Sequence, residues 1–446
     1  MTLNDRLENV AVIGAAGKMG SGIALLMANE MTMQKLQPEG ELKNFELNLI
    51  DISSSALEGL LKYLRIQAVK LAERNIVNVR DRYANRKDLV ENHEIIDQFV
   101  DDLFLNLRMS TELSTAKNAK MIFEAVLENV DLKISILKKL NEICPPDTFY
   151  FTNTSSIPIK LLNDKSGLKG RLIGYHFYNP PTVQKLVELI SPEGVLPELE
   201  QLSVELGKRL RKKLIHSNDI AGFIGNGHFT RDGLHAFSEV EKLKSDFTQL
   251  QSIYIINKIS QDFLIRPMGI FQLIDYVGID VIQCILNTMN PYFPDENLDS
   301  DLINLMIHRK IFGGQSLDGN QKDGFLKYEK NKPVGIYDPE HNTYKLFEEG
   351  SWREDADIKI GDLPEGFYPW RTLLQDPQKD EKIAIFMKNL KGSSTLGAQL
   401  AVNYLKSSKK IAEKLVSEGV ASSAEDVNGV LLNGFYHLYG PINEFV

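Results

Sequence analysis

The stretch RLIGYHFYNPPTVQKLVELI, Arg171 to Ile190, carries a histidine and a glutamate twelve residues apart. It reads as a strand, an Asn-Pro-Pro turn and a second strand, with His176 in the first strand and Glu188 in the second. The turn allows the strands to lie side by side, although sequence alone leaves contact between the two side chains open. A histidine oriented by a carboxylate is suited to general-base work. An imidazole changes charge near pH 6.5, and the carboxylate stabilises the imidazolium. The competing reading is plain. A histidine in an apolar strand is more often a packed core residue, and a glutamate in KLVELI more often faces solvent. Ser155 and Ser156 in TNTSSIP lack the G-x-S-x-G elbow of hydrolases. They suit a helix cap after Pro158 or a hydrogen bond to a ligand at a sheet edge. The other histidines show no ligand spacing such as HExxH, so no metal site is read.

A second chemical signal lies near the start. VAVIGAAGKMGSGIALLM, Val10 to Met27, is an apolar strand-like run, a glycine turn and an apolar helix-like run. Gly14, Gly17 and Gly20 are spaced G-x-x-G-x-x-G, one residue longer than the usual dinucleotide fingerprint. Glycines there permit a tight turn and close backbone approach to a pyrophosphate, and the helix N-terminus adds free N–H groups. A simple strand-to-helix turn reads the same way. The segment FELNLI resembles a second strand, and it ends at Asp51. An acid there binds both ribose hydroxyls of NAD and repels the 2′-phosphate of NADP. MTMQKLQPEGELKN, residues 31–44, looks like an inserted loop that lengthens the interval to Asp51. Next to a nicotinamide, His176 and Glu188 would take a hydroxyl proton while hydride leaves the same carbon.

Residues 55–74 and 87–103 have helical spacing, and Leu103 to Met109 and Lys120 to Val126 look like strands. The run 131–143 places Leu132, Ile136, Leu137, Leu140 and Ile143 on one helical face, and Pro145-Pro146 end it. The strand FYFTN follows, closing at Asn153. Alternating strands and helices imply an α/β fold with a doubly wound parallel sheet. From about residue 216 to 312 the pattern is mostly helical. Residues 335–381 are rich in acids, proline and glycine, and helical patterning resumes near 382. The 446 residues carry a net charge of −9, which argues against nucleic acid or an anionic membrane as partner. With two cysteines, no apolar leader and no long apolar run, the chain reads as cytoplasmic.

The segments VIGAAGKMGSGIA, FEAVLENVDLK, TNTSSIPI, GYHFYNPPTVQKLVELI, AGFIGN, RPMGIFQLIDYVGID and GFLKY occur in an order that resembles the L-3-hydroxyacyl-CoA dehydrogenases, over about residues 8–330. The resemblance implies NAD-dependent, reversible oxidation of L-3-hydroxyacyl-CoA to 3-oxoacyl-CoA, as in fatty-acid beta-oxidation. It makes His176 the base, oriented by Glu188, and has Ser155 and Asn226 bond the substrate oxygens beside Asn179. Glu128, Lys133 and Asn153 would line the nicotinamide side, and Asp51 would hold the ribose. It also implies a Rossmann-type NAD-binding domain over 1–215 and an all-α C-terminal domain over 216–334. A linker or surface wrap over 335–381 and a second, incomplete helical lobe over 382–446 would follow. The acyl-CoA substrate is the expected partner, with a homodimer, or a monomer if the two lobes pack within the chain. The family usually has Val-Asn-Arg where this chain has Gly225-Asn226-Gly227, which loosens the setting of Asn226. A free hydroxy acid as substrate, or dinucleotide binding without catalysis, are the alternatives.

Overall fold

Val10 to Ile13 is shielded from water on both faces, as a central parallel strand must be. It belongs to β1 (Asn9–Ile13) of a computed structural model that describes residues 1–40, 42–316 and 319–446. The chain divides into two units, Met1–Ile220 and Ala221–Val446. In the first, β1 is joined by β2 (Glu46–Ile50), β3 (Leu107–Ser110), β4 (Met121–Glu124) and β5 (Phe149–Thr152). Then come β6 (Leu172–Phe177), β7 (Leu186–Ile190) and β8 (Lys213–Ser217). The sheet order is β3-β2-β1-β4-β5-β6-β7-β8. Every pairing is parallel except β6 with β7. Strand order reverses between β1 and β4, and ligands of doubly wound sheets sit at the carboxyl edge of such a reversal.

The longer helices of this unit are α1 (Lys18–Lys35), α2 (Ser54–Arg74), α3 (Asn92–Leu105), α4 (Val130–Ile143), α5 (Ile159–Ser166) and α6 (Pro197–Arg209). Two local expectations change. Residues 31–35 are not loop but the last turns of α1, because MTMQK contains no helix breaker. Helix α4 buries Lys133, Leu137 and Leu140, while Leu132 and Ile143 are exposed. Its inner face is rotated from the one the apolar pattern suggests, and a buried ion pair described below is the reason.

The second unit is mostly helical and built around α7 (Phe223–Leu243) and α8 (Gln249–Lys258). Helix α9 (Ile270–Val277) follows, and a small antiparallel sheet holds β9 (Leu326–Glu329), β10 (Lys332–Asp338) and β11 (Thr343–Leu346). The expected linker or wrap over 335–381 therefore contains strands, and it also contains α10 (Trp352–Ile360). Ile336, Tyr337, Ala356 and Ile360 from this stretch enter the unit's core. They are few and set among acids, prolines and glycines, so the stretch reads as a wrap. The Asp275 carboxylate in α9 accepts the N–H groups of Phe325 and Leu326 and the Tyr328 hydroxyl, pinning GFLKY to the helices.

Helix α11 (Leu396–Ser417) packs along α7, followed by α12 (Ala424–Gly434). Tyr404 donates to the Asp232 carbonyl at 3.1 Å. Arg266 pairs with Asp232 at 2.8 Å and reaches the Ser408 hydroxyl at 3.2 Å, all of them buried. A local geometry recurs in the unit. Asn257 Oδ1 accepts the Phe271 N–H, and Asn428 Oδ1 accepts the Ile442 N–H, each fourteen residues on. A side chain at Gly269 would strike Asn257, and one at Gly440 would strike Asn428.

Candidate active site

The carboxyl edge of the parallel strands gathers the candidate residues of the first unit. After β1 the chain turns at Gly14, whose φ of +76° excludes most side chains, and a Cβ there would stand 2.7 Å from the Ala125 carbonyl oxygen. A Cβ on Gly20 would enter the Gly14 carbonyl, and one on Gly17 would stand 3.2 Å from the same oxygen. Gly17 is also the N-cap of α1, and no side chain caps the helix there. Backbone is thus laid bare at a helix N-terminus, the arrangement a pyrophosphate needs. Asp51, at the end of β2, accepts the Ala16 N–H at 3.0 Å, which places its carboxylate against this loop. The residues present fit a dinucleotide, despite the extra residue in the loop.

A buried charge cluster follows β4. Lys133 of α4 reaches back to Glu124 at 2.8 Å and to Glu128 at 3.4 Å. Glu124 also accepts the Val126 N–H and the Thr152 hydroxyl, the latter at 2.6 Å. Glu128 Oε1 accepts from the Thr154 hydroxyl and from both the N–H and the hydroxyl of Ser155 and Ser156, at 2.7–3.3 Å. Burial raises the Glu128 carboxyl, but the Lys133 charge and these hydrogen bonds outweigh it and hold it below the usual range. Burial likewise opposes the Lys133 ammonium, and the two carboxylates more than compensate, so it is held above its usual value. Asn153 spends its side-chain oxygen on the Phe177 N–H at 2.9 Å and ties the end of β5 to β6.

One strand over, His176 and Glu188 face each other as direct partners of the antiparallel pair β6–β7. The His176 Nδ1 lies 3.0 Å from Glu188 Oε2, with the carboxylate fully buried. A carboxylate only accepts, so Nδ1 is the ring nitrogen that donates in this contact. Tyr178 donates to the same Glu188 oxygen at 2.7 Å. Burial, and then the Glu188 charge, push this hydroxyl well above its usual value, so it stays a donor. The Asn179–Pro180 bond in the turn is cis. Lys212 fastens the turn by donating to the carbonyls of Pro181 and Gln184, and burial pushes its ammonium down to about 8.

The structure thus brings His176 to Glu188, and Glu128 to Lys133 and Ser155, and sets Gly14, Gly17, Gly20 and Asp51 around one loop. Asn226 lies in the second unit, in the first turn of α7. Gly225 and Gly227 on either side of it are buried within a continuous helix, so the glycines do not fray it. The sequence reading missed Glu124, Thr152, Thr154 and Tyr178. Glu124 had one usable signal, an acid closing an apolar strand nine residues before a lysine in the next helix. Among the described residues Asp338, Glu340 and His341 gather close enough to share a cation, but Asp338 is spent on the turn, accepting from both backbone N–H groups and facing the imidazole.

A doubly wound sheet with a pyrophosphate cradle, an acid at the second strand and a carboxylate-bound histidine at the same edge defines a dinucleotide-dependent oxidoreductase. Residues 9–220 match the model of the 3-hydroxyacyl-CoA dehydrogenase NAD binding domain, and residues 248–328 match that of its C-terminal domain. The chain belongs to the 3-hydroxyacyl-CoA dehydrogenase family, and NAD is its cofactor. A probable 3-hydroxyacyl-CoA dehydrogenase of Caenorhabditis elegans is 27% identical over 330 residues, 73% of this chain and 94% of that one. The mitochondrial hydroxyacyl-coenzyme A dehydrogenase of Rattus norvegicus is 27% identical over 326 residues, 72% of this chain and 92% of that one. In fold, the chain is similar to 3-hydroxybutyryl-CoA dehydrogenase from Escherichia coli K12, with a TM-score of 0.62 at 20% identity. That likeness covers 98% of this chain and 90% of the other, so it takes in the C-terminal helices.

Proposed function

We propose that the chain oxidises L-3-hydroxyacyl-CoA thioesters reversibly to 3-oxoacyl-CoA, with His176 as the base in oxidation and the acid in reduction. The observation that carries this is the buried His176–Glu188 bond, which leaves Nε2 as the nitrogen able to take the hydroxyl proton. Glu188 fixes the tautomer and stabilises the imidazolium as it forms. NAD, when bound, supplies the hydride acceptor. Gly14, Gly17 and Gly20 hold its pyrophosphate and Asp51 its ribose, while Glu128, Lys133 and Asn153 form the wall on the nicotinamide side. Ser155, Asn179 and Asn226 bond and shape the substrate oxygens.

The N-terminal unit is the cofactor domain, and 382–446 is an incomplete second copy of the helical domain. The matched geometries of Asn257 with Gly269 and Asn428 with Gly440 support the copy. The packing of α11 and α12 on α7 supports a monomer, in which the lobes meet inside one chain, and light scattering would decide it. The chain works in a reducing compartment, with the cytosol the simplest choice. Relatives named as mitochondrial or peroxisomal make a tagged-protein localisation the necessary check.

The test is NADH formation from NAD with 3-hydroxyacyl-CoA esters of graded chain length and with the matching free acids. Turnover of thioesters is expected, with His176→Gln slowing it by about 10²–10⁴-fold. Activity on free acids alone would move the substrate class, and an undiminished rate in the variant would remove His176 from the chemistry.

A further inference from the structure

The Glu188 carboxylate oxygen that receives His176 receives a second donor, the Tyr178 hydroxyl. The two rings lie beside each other, with centroids 4.9 Å apart and planes inclined by 41°. Tyr178 is two residues beyond His176, at the point where β6 runs into the turn. We propose that Tyr178 is a positioning residue for the reaction, one that sets the proton affinity of His176 by sharing Glu188. This rests on His176 being the base.

A carboxylate oxygen that accepts two hydrogen bonds has its charge spread over two donors. The imidazolium next to it then gains less from that charge. Without the Tyr178 hydroxyl, Glu188 remains buried with less compensation and draws the imidazole proton more strongly. The protonated ring is then favoured, and the neutral form needed to accept a hydroxyl proton appears only at higher pH. Because burial and Glu188 keep the Tyr178 hydroxyl protonated, its donation persists across the working range.

The other ionisable groups around this end of β6 are on the elements packed against it. Among the described residues they include Lys212, which lies over the Phe177 ring, Lys213 and His216 on β8, Lys160, Asp164 and Lys165 on α5, and Tyr175 on β6 itself, while Tyr150 on β5 pairs with Leu172 at the other end of the strand. Lys160 and Asp164 pair with each other at 3.4 Å, and Tyr175 points to the opposite face, where it donates to the Ser203 carbonyl. Asp219 is engaged by the first N–H groups of α5, and Glu128 by Thr154, Ser155 and Ser156. Tyr178→Phe removes one oxygen and leaves all of these in place.

The experiment compares parent and Tyr178→Phe in two ways. One is an NMR titration of the His176 ring in the cofactor-free protein, with the signal assigned by its loss in His176→Gln. The other is the pH profile of kcat/KM for hydroxyacyl-CoA oxidation. The titration midpoint and the acid limb should both move up by about one unit, a tenfold loss of rate well below the limb. A midpoint that stays put or moves down overturns the proposal. Should Tyr178→Phe fail to fold, site-specific 3-fluorotyrosine at 178 is a stronger donor and must shift the midpoint down. The titration needs no turnover. If the parent proves inactive on every hydroxyacyl-CoA, the functional reading fails while the role of Tyr178 is still decided.

Discussion

Two buried carboxylate clusters stand at one edge of the same sheet, and they are compensated in opposite ways. Glu124 and Glu128 are matched by Lys133, a cation that does not give up its proton under ordinary conditions. Glu188 is matched by an imidazole and by a phenol. The first cluster holds the β4–α4 and β5–α5 loops in one shape. The second is the one to which the proposed chemistry belongs. A sheet edge can therefore contain a scaffold and a reactive group built from the same acid, and the choice of partner separates them.

The largest expected effect tests this contrast directly. His176→Gln keeps a donor to Glu188, so stability should stay within about 1 kcal/mol of the parent in urea unfolding while turnover falls by about 10²–10⁴-fold. A large loss of stability with modest loss of rate would place His176 among the scaffold residues. Lys133→Met should do the reverse in the folding measurement. It strands two buried carboxylates, and breaking a buried pair from one side costs about 3–5 kcal/mol. A change below 1 kcal/mol would mean the cluster is wetter than its geometry implies.

The smallest of these effects is a pH dependence, and its sign follows from the shifts. The Glu128 carboxyl is lowered on folding, so its stabilisation is present above the unfolded value of 4.5 and is lost as pH falls through the lower folded value. The Lys133 ammonium is raised, so its stabilisation is complete below 10.5 and is lost as pH rises through the folded value. The stability difference between parent and Glu128→Gln should thus be flat from about pH 5 to pH 10 and shrink on the acid side. A difference that grows with acid would contradict the assigned pairing.

His176 and Glu188 were legible because an Asn-Pro-Pro turn joins two apolar runs, and the antiparallel strands pair them directly. The cradle was legible because glycine is the residue that such a turn requires. Glu124 was not, since an acid at a strand end looks solvated until the lysine that buries it is known. The same lysine turned α4, so the apolar stripe of that helix misreported its inner face. Tyr178 was hidden for a different reason: in HFYNPP it reads as one more aromatic of a strand, and its hydroxyl matters only through a partner ten residues away. The core contributions of 335–381 were hidden because the few apolar residues, among them Ile336, Tyr337, Ala356 and Ile360, are outnumbered by the acids, prolines and glycines around them.

The last helices have a consequence for anyone who edits the gene. Tyr404 and Ser408 close over the Asp232–Arg266 pair, so residues beyond 382 finish a wall that the preceding helices leave open. A stop codon placed near 335, at the length of many relatives, is expected to yield not a minimal enzyme but a sticky fragment with an ion pair flooded by solvent. Aggregation of that fragment on purification is the expected sign, and a soluble, fully active one would show the tail to be an ornament.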